Sequence, residues 1–318
     1  MVRLNRKKTT EIESEKPKSD EELNTKKTTE IESEKPKSDE ELLRISTIQM
    51  FKDTGSDHLP IEAVYRKNYE YEVTPKLKKT IEIDVSTNIF SFNLLSSKFL
   101  SHFEGKPLSD FVTDTKRIET VFSTIFSLAE NGNLIMLQEI CPQFIKFYNK
   151  KKAEWESSNK GYYSFYLNYN EEVVGNNKSA YVGYFYNRNF YKVSDDNKDL
   201  KTGKNINYIS FSGKNKQAYG LIWENKTTGT KFATVTAHIP QRGKEYDNYE
   251  TEMKKLMKCM SIYARKKKIE FFYGGDFNTE DWNERTFGIN GFKKVNYEQI
   301  THMSGGGKFV VYDHILLK

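Results

Sequence analysis

The chain has little cysteine and no long uninterrupted apolar run, and each lack removes a class of protein. Two cysteines among 318 residues, Cys141 and Cys259, cannot build a disulfide framework. Neither has a histidine or second cysteine at metal-ligand spacing, so a reducing compartment is expected. No stretch of about eighteen apolar residues occurs, which argues against a membrane-spanning helix and a membrane partner. The first residues, MVRLNRKKTTEIE, lack the apolar centre of a secretion signal. The basic residues Arg3 to Lys8 are interrupted and make a poor nuclear-import signal. A soluble intracellular protein of cytoplasm or nucleus is the expectation.

Apolar residues are also scarce where the chain starts. Leu4 to Glu22 reads LNRKKTTEIESEKPKSDEE, and Leu23 to Glu41 repeats it with one change. Each copy has one Leu and one Ile among Lys, Glu, Ser, Thr and Pro, too little burial to offset the entropy of ordering the chain. Residues 1–42 are therefore expected to be a disordered tail carrying a 19-residue tandem duplication. A solenoid would need a hydrophobic face in every repeat. Residues 43–318 are expected to form a single domain, since a chain 36% hydrophobic and 30% charged can build a sizeable core.

Charge divides along the same boundary. Residues 1–42 have ten Lys or Arg against twelve Asp or Glu, which leaves 40 against 32, net +8, for residues 43–318. Lys150 to Lys152, Arg265 to Lys268, Lys293 with Lys294, and Lys214, Lys216, Arg242 and Lys244 are either a phosphate-facing surface or solvated helix ends.

Hydrophobic periodicity supplies the elements. RISTIQMF (Arg44 to Phe51) alternates loosely and reads as a strand before the turn KDTGSD, with LPIEAVYRK as the next strand. Asn68 to Lys79 reads as a polar connector into TIEIDVSTNIFSFNLL. Ile118, Val121, Phe122, Ile125, Phe126 and Leu128 have helical spacing up to Gly132, and Phe144 to Trp155 and Tyr246 to Lys267 read as further helices. NLIMLQEI, YYSFYLNY, SAYVGYFYN, IEFFYGGD and KFVVYDHILLK read as strands, and YGLIWENKTTGTKFATVTAHIP as a hairpin. Strands interleaved with helices imply an α/β fold.

Six short strings lie at the ends of these strands: SDHLPI (Ser56 to Ile61), SFNLL (Ser91 to Leu95), LQEI (Leu137 to Ile140), TAHIP (Thr236 to Pro240), GGDFN (Gly274 to Asn278) and YDHILL (Tyr312 to Leu317). Each alone is weak. Together they resemble the motif set of the endonuclease/exonuclease/phosphatase superfamily, the DNase I-like proteins. That family's order is N, QE, H, GDFN, D, SDH; here SDH comes first, so the sequence resembles a circularly permuted member.

The resemblance implies a four-layer α/β sandwich, two packed mixed β-sheets flanked by helices. It implies Glu139 as principal ligand of Mg²⁺, with Mn²⁺ as substitute, and Asn93 and Asp57 at or near the metal. Asp276 and Asn278 match residues that position the nucleophile and contact the scissile phosphate. His58 matches the histidine that bonds the phosphate or activates water, and Asp313 the carboxylate that orients it. His238 matches a general acid toward the leaving group, or is a strand-end histidine bonded to backbone. Tyr181 is a phosphate contact or a core residue, and Arg188 a phosphate contact or a solvated strand-end cation. The implied activity is metal-dependent phosphodiester hydrolysis with DNA or RNA as the partner. An inositol-phosphate phosphatase or a sphingomyelinase-like lipid phosphodiesterase would use the same site. GDFNTED and GGGKFVVYDHIL do not match the strings of the phosphoinositide branch, and the net +8 domain with many aromatics suits a nucleic acid.

Overall fold

The computed structural model describes residues 49–71, 81–97, 100, 116–158, 163–167, 181–198, 208–210, 216–241, 244–295, 301–303 and 308–318. The duplicated segment 1–42, Lys214 and Arg242 lie outside them. In chain order the elements are β1 (Ile61–Tyr71), β2 (Ile81–Asn93), α1 (Arg117–Glu130), β3 (Leu134–Ile140), α2 (Pro142–Ser157), β4 (Tyr163–Leu167), β5 (Tyr181–Asn187), β6 (Tyr191–Val193), β7 (Tyr208–Ser210), β8 (Gln217–Asn225), β9 (Lys231–His238), α3 (Lys244–Lys267), β10 (Glu270–Asp276), β11 (Lys293–Lys294), β12 (His302–Met303), β13 (Phe309–Val310) and β14 (Asp313–Leu317). One sheet runs β1-β2-β3-β5-β4, and the other runs β11-β14-β10-β9-β8-β6 with β7 also on β8. Both are mixed. Each contains one parallel pair, β2 with β3 and β10 with β9, among antiparallel neighbours.

Alternation along the strands builds the layers. In β3, Leu134 and Met136 face the other sheet, while Ile135 and Leu137 pack with α1 and α2. In β8, Tyr219, Leu221 and Trp223 face the first sheet, while Ala218 and Ile222 pack with Tyr249, Met253 and Met257 of α3. In β10, Phe272 faces the first sheet, and Phe271 and Tyr273 face α3. The result is helix, sheet, sheet, helix. The outer layer of α1 and α2 is held by an aromatic cluster in which Phe122 meets Phe144, Phe147, Trp155 and Phe185 at centroid separations of 5.8, 5.1, 5.7 and 5.9 Å. Truncating Phe122 to Ala should cost about 3–5 kcal/mol.

Three expectations change. Residues 49–54 are helical, not the end of a strand, and Phe51 is buried with Leu59, Leu95 and Met303. The apolar face of one helical turn mimics loose alternation over so short a run. The strand after SDH continues to Tyr71, through residues expected to be connector, because β1 pairs β2 without a break from Ile61↔Ser91 to Tyr71↔Ile81. KFVVYDHILLK divides into β13, paired with β12, and β14, paired with β10 and β11. Lysine clusters on the helices are largely solvated: Lys151 and Lys152 pair with Glu154 and Glu156 within α2, and Arg265 to Lys267 form the last turn of α3, where cations suit the helix dipole. No helix among the described residues is long and apolar enough to cross a membrane.

Candidate active site where two parallel strand pairs end

Parallel pairing brings the carboxyl ends of two strands to the same edge of a sheet, the usual place for a site in α/β proteins. Here both sheets do so. Asn93, the last residue of β2, lies opposite Gln138, next to Glu139 of β3. Asp276, the last residue of β10, lies opposite His238 of β9 on one side and Asp313 of β14 on the other. Gly275 permits that approach: its φ is +145° and a Cβ there would lie 1.9 Å from the carbonyl oxygen of Ala237.

Glu139 leaves the pleat at a register shift between Leu137 and Ile140, with φ +56°. Leu95 and Asn278 adopt the same left-handed region, at +54° and +51°. Each costs about 1–3 kcal/mol for a non-glycine residue, and all three occur where a strand hands its side chain to the site.

Polar contacts join the ends. Asn93 Nδ2 donates to Glu139 Oε1 at 3.2 Å and to Asp276 Oδ2 at 3.1 Å, and Ser96 N–H donates to Glu139 Oε2 at 2.8 Å. Asn278 N–H donates to Asp276 Oδ1 at 2.8 Å, and its Nδ2 donates to Ile239 O and Asp276 Oδ2. His238 Nε2 lies 3.4 Å from Glu139 Oε1 and 3.3 Å from Asp276 Oδ2, with Lys216 Nζ against it. From the other side, His58 Nδ1 donates to Asp313 Oδ2 at 2.8 Å. That leaves His58 Nε2 at 3.9 Å from Asp57 Oδ1 and 4.0 Å from Asp276 Oδ2.

The two histidines are pushed apart electrostatically. Burial would depress His58, but Asp313, Asp57 and Asp276 outweigh it and raise its pKa to about 10. Burial and the Lys216 charge both lower His238. Burial also raises Asp57, to about 7, against the pull of His58 and with added repulsion from Glu139 and Asp276. Asp276 resists its own burial because its hydrogen bond with His238 and the charges of His58 and Lys216 hold it well below the usual carboxylate range.

Eight residues singled out in the sequence thus meet: Asp57, His58, Asn93, Glu139, His238, Asp276, Asn278 and Asp313. Two do not. Tyr181 is 2% exposed and packs with Phe92, Leu137 and Phe144 on the helix side of its sheet. Arg188 follows β5, which runs antiparallel to β3 with Ile140 opposite Tyr181 and Ile135 opposite Phe185. The end of β5 therefore lies where β3 begins, at the edge opposite the site.

Other residues of the site had no motif to mark them. The His302 ring lies tilted against that of His58 with centroids 4.4 Å apart, and its Nδ1 is 3.6 Å from Asp57 Oδ2. Thr301 Oγ1 accepts from the backbone N–H of Asp313 at 3.0 Å. Lys216, noted only as one cation among several, reaches His238.

A divalent cation fits this donor set. Asp57, Glu139 and Asp276 are buried together, Asp57 Oδ1 has no hydrogen-bond partner, and ligand atoms of Glu139, His238 and Asp276 lie within 4.8 Å of one another. Crowded carboxylate oxygens suit a hard ion such as Mg²⁺ or Mn²⁺.

No family model and no curated protein matches the chain. Among solved structures it is similar to the human Nocturnin catalytic domain with bound sulfate, at 14% identity over 79% of this chain and 84% of that one, TM-score 0.48. It is similar to ANGEL2, a 2′,3′-cyclic phosphatase in complex with adenosine-2′,3′-vanadate, at 12% identity over 72% and 83%, TM-score 0.49. It is also similar to an endonuclease/exonuclease/phosphatase family protein from Bacteroides thetaiotaomicron, at 15% identity over 73% and 83%, TM-score 0.46.

Proposed function

We propose that this protein is a divalent-metal-dependent phosphoesterase whose substrate is a phosphodiester of DNA or RNA. One observation carries the reading: three buried carboxylates lie together with two buried histidines whose pKa values are shifted in opposite directions. Pairs of titratable groups driven apart in this way mark a division of acid and base roles. In this reading Glu139, with Asn93 and Asp57, holds Mg²⁺ or Mn²⁺, which when bound neutralises phosphate charge and polarises the P–O bond.

The remaining work falls to side chains. His58, an imidazolium oriented by Asp313, donates from Nε2 to a phosphate oxygen and offsets the charge that develops there. Asp276, ionised throughout the physiological range, orients the attacking water, and the Asn278 backbone N–H fixes that carboxylate. His238, kept neutral, suits a hydrogen-bond role toward Asp276 better than that of a general acid; on its side Lys216 is the cation. The net +8 of residues 43–318 favours a substrate with many phosphates. The same reading takes the chain as circularly permuted, which the meeting of His58 with Asp313 across 255 residues supports.

The test is a panel of labelled single-stranded and duplex DNA, RNA, abasic and tyrosyl-linked oligonucleotides, inositol phosphates and sphingomyelin, each with Mg²⁺, Mn²⁺ or EDTA. Metal-dependent cleavage of an oligonucleotide that weakens steeply with ionic strength is expected. Turnover of a small phosphate ester alone, with little salt dependence, would move the substrate to that class. A folded protein that hydrolyses none of them would refute the proposal.

A further inference from the structure

Arg117 opens α1 and is 3% exposed, although its side chain makes no ion pair among the described residues. A buried guanidinium without a carboxylate partner is expensive, and burial lowers its pKa. Its Nη1 donates to two backbone carbonyls, Gly55 O at 3.2 Å and Leu94 O at 3.0 Å, and its buried Nη2 has no hydrogen-bond partner among the described residues. Those two carbonyls belong to the two turns that bring the N-terminal side of the chain to the site. Gly55 lies two residues before Asp57 and three before His58. Leu94 follows Asn93 and lies two residues before Ser96, whose N–H donates to Glu139.

Two further contacts tighten the same joint. Ser56 Oγ donates to Asn93 O at 2.7 Å and accepts from His58 N–H at 3.1 Å. Gly55 sits at φ +71°, and a Cβ there would lie 3.0 Å from both Arg117 O and Val121 Cγ2. The turn 55–58 is therefore seated on the first turn of α1, with Arg117 bolting it to the turn 93–96. Both bonds leave one Nη1 whose two N–H directions are fixed by the guanidinium plane, a geometry that a flexible ammonium does not preset.

We propose that Arg117 is a positioning residue for the reaction inferred above: it sets the separation between the turn that carries Asp57 and His58 and the turn that carries Asn93 and serves Glu139. The proposal rests on the phosphoesterase reading for its kinetic consequence but not for its structural one.

Two readouts keep the two claims apart. The first is the low-field proton NMR signal of the His58 Nδ1–H bonded to Asp313 in the metal-free full chain, which needs no substrate. Arg117→Met is expected to broaden or abolish it while the far-ultraviolet spectrum of the folded protein is retained. The second is hydrolysis of a chromogenic aryl phosphodiester with Mn²⁺. Arg117→Met should lower kcat at least tenfold with KM within about twofold, and Arg117→Lys should be intermediate. Added guanidinium ion should restore part of the rate to Arg117→Ala. A wild-type protein that shows the His58 signal but no turnover would sink the phosphoesterase reading and leave the positioning claim to the NMR comparison. If the variants keep the signal and the wild-type rate, or lose rate only in proportion to the folded fraction and without guanidinium rescue, Arg117 is merely structural and the proposal is wrong.

Discussion

The site has two sides, each with one buried histidine, and sequence proximity predicts nothing about which is charged. On the β14 side, His58 is clasped by Asp313 and faces Asp57 and Asp276; three carboxylates overcome burial and raise its pKa to about 10. On the β9 side, His238 is also buried and faces two carboxylates, yet its pKa is lowered, by burial first and then by Lys216, which lies against its Nε2. Equal desolvation with different charge partners yields opposite protonation. A site can thus hold one histidine as a cation and the other as a neutral hydrogen-bonding group with no difference in depth.

Several variants would break or sharpen that contrast. The largest effect is expected from Glu139→Gln, which removes the carboxylate proposed as principal metal holder, on the His238 side: hydrolysis should fall by about a thousandfold or more, as it should on EDTA treatment of the wild type, since metal-assisted charge neutralisation is lost. Steady-state kinetics on the preferred substrate would show it. His58→Ala should follow, with kcat lower by about 10²–10⁴-fold. His238→Ala should be milder and, unlike removal of a general acid, should leave the alkaline limb of the pH–rate profile in place. Equal losses with loss of that limb would return the acid role to His238.

Asp313→Asn should lower the His58 pKa from about 10, read by NMR titration of the metal-free protein. His58 then sheds its proton at a lower pH, while His238 should titrate as before.

Next in size is a stability effect away from the phosphate. His314 donates from Nε2 to Thr279 O at 2.9 Å, and burial lowers its pKa from 6.5 to about 4. As pH falls below 6.5 the unfolded chain binds that proton first. The stability is thus intact above pH 6.5 and is lost between 6.5 and about 4, at up to about 1.4 kcal/mol per pH unit. Urea unfolding across that range should show the slope, and His314→Gln should flatten it. Smallest of all, Lys255→Ala on exposed α3 removes the 2.6 Å pair with Glu252 and should change stability by less than about 0.5 kcal/mol.

Much of the site was legible before the fold, and the reasons are local. Asn93, His238 and Asp276 each end a strand with a readable apolar run and Glu139 is the last residue but one of its strand, so their motif and their strand agreed. Asp57 and His58 were legible as a motif although their segment was not, since residues 49–54 bury Phe51 through one helical turn. For Arg188 the sequence left a phosphate contact and a solvated strand-end cation open, because a strand's direction within its sheet is set by pairing partners, which no local pattern encodes; the residue is exposed at the edge away from the site. His302 and Arg117 carried no signal. A single histidine acquires meaning from the His58↔His302 bridge, and Arg117 from two carbonyls 62 and 23 residues away. The alternation that sorts residues between the sheet–sheet core and the helix layers was plain in β3, β8 and β10. The length of β1 was not, because Asn68 to Tyr71 looks polar and only its pairing with β2 identifies it as strand.

The most direct measurement is metal-dependent release of product from a labelled oligonucleotide by wild type, His58→Ala and Glu139→Gln under identical conditions. The account predicts turnover by the wild type with Mg²⁺ or Mn²⁺, none with EDTA, and losses of at least a hundredfold in both folded variants. Wild-type cleavage that survives both substitutions would place the chemistry elsewhere and contradict it.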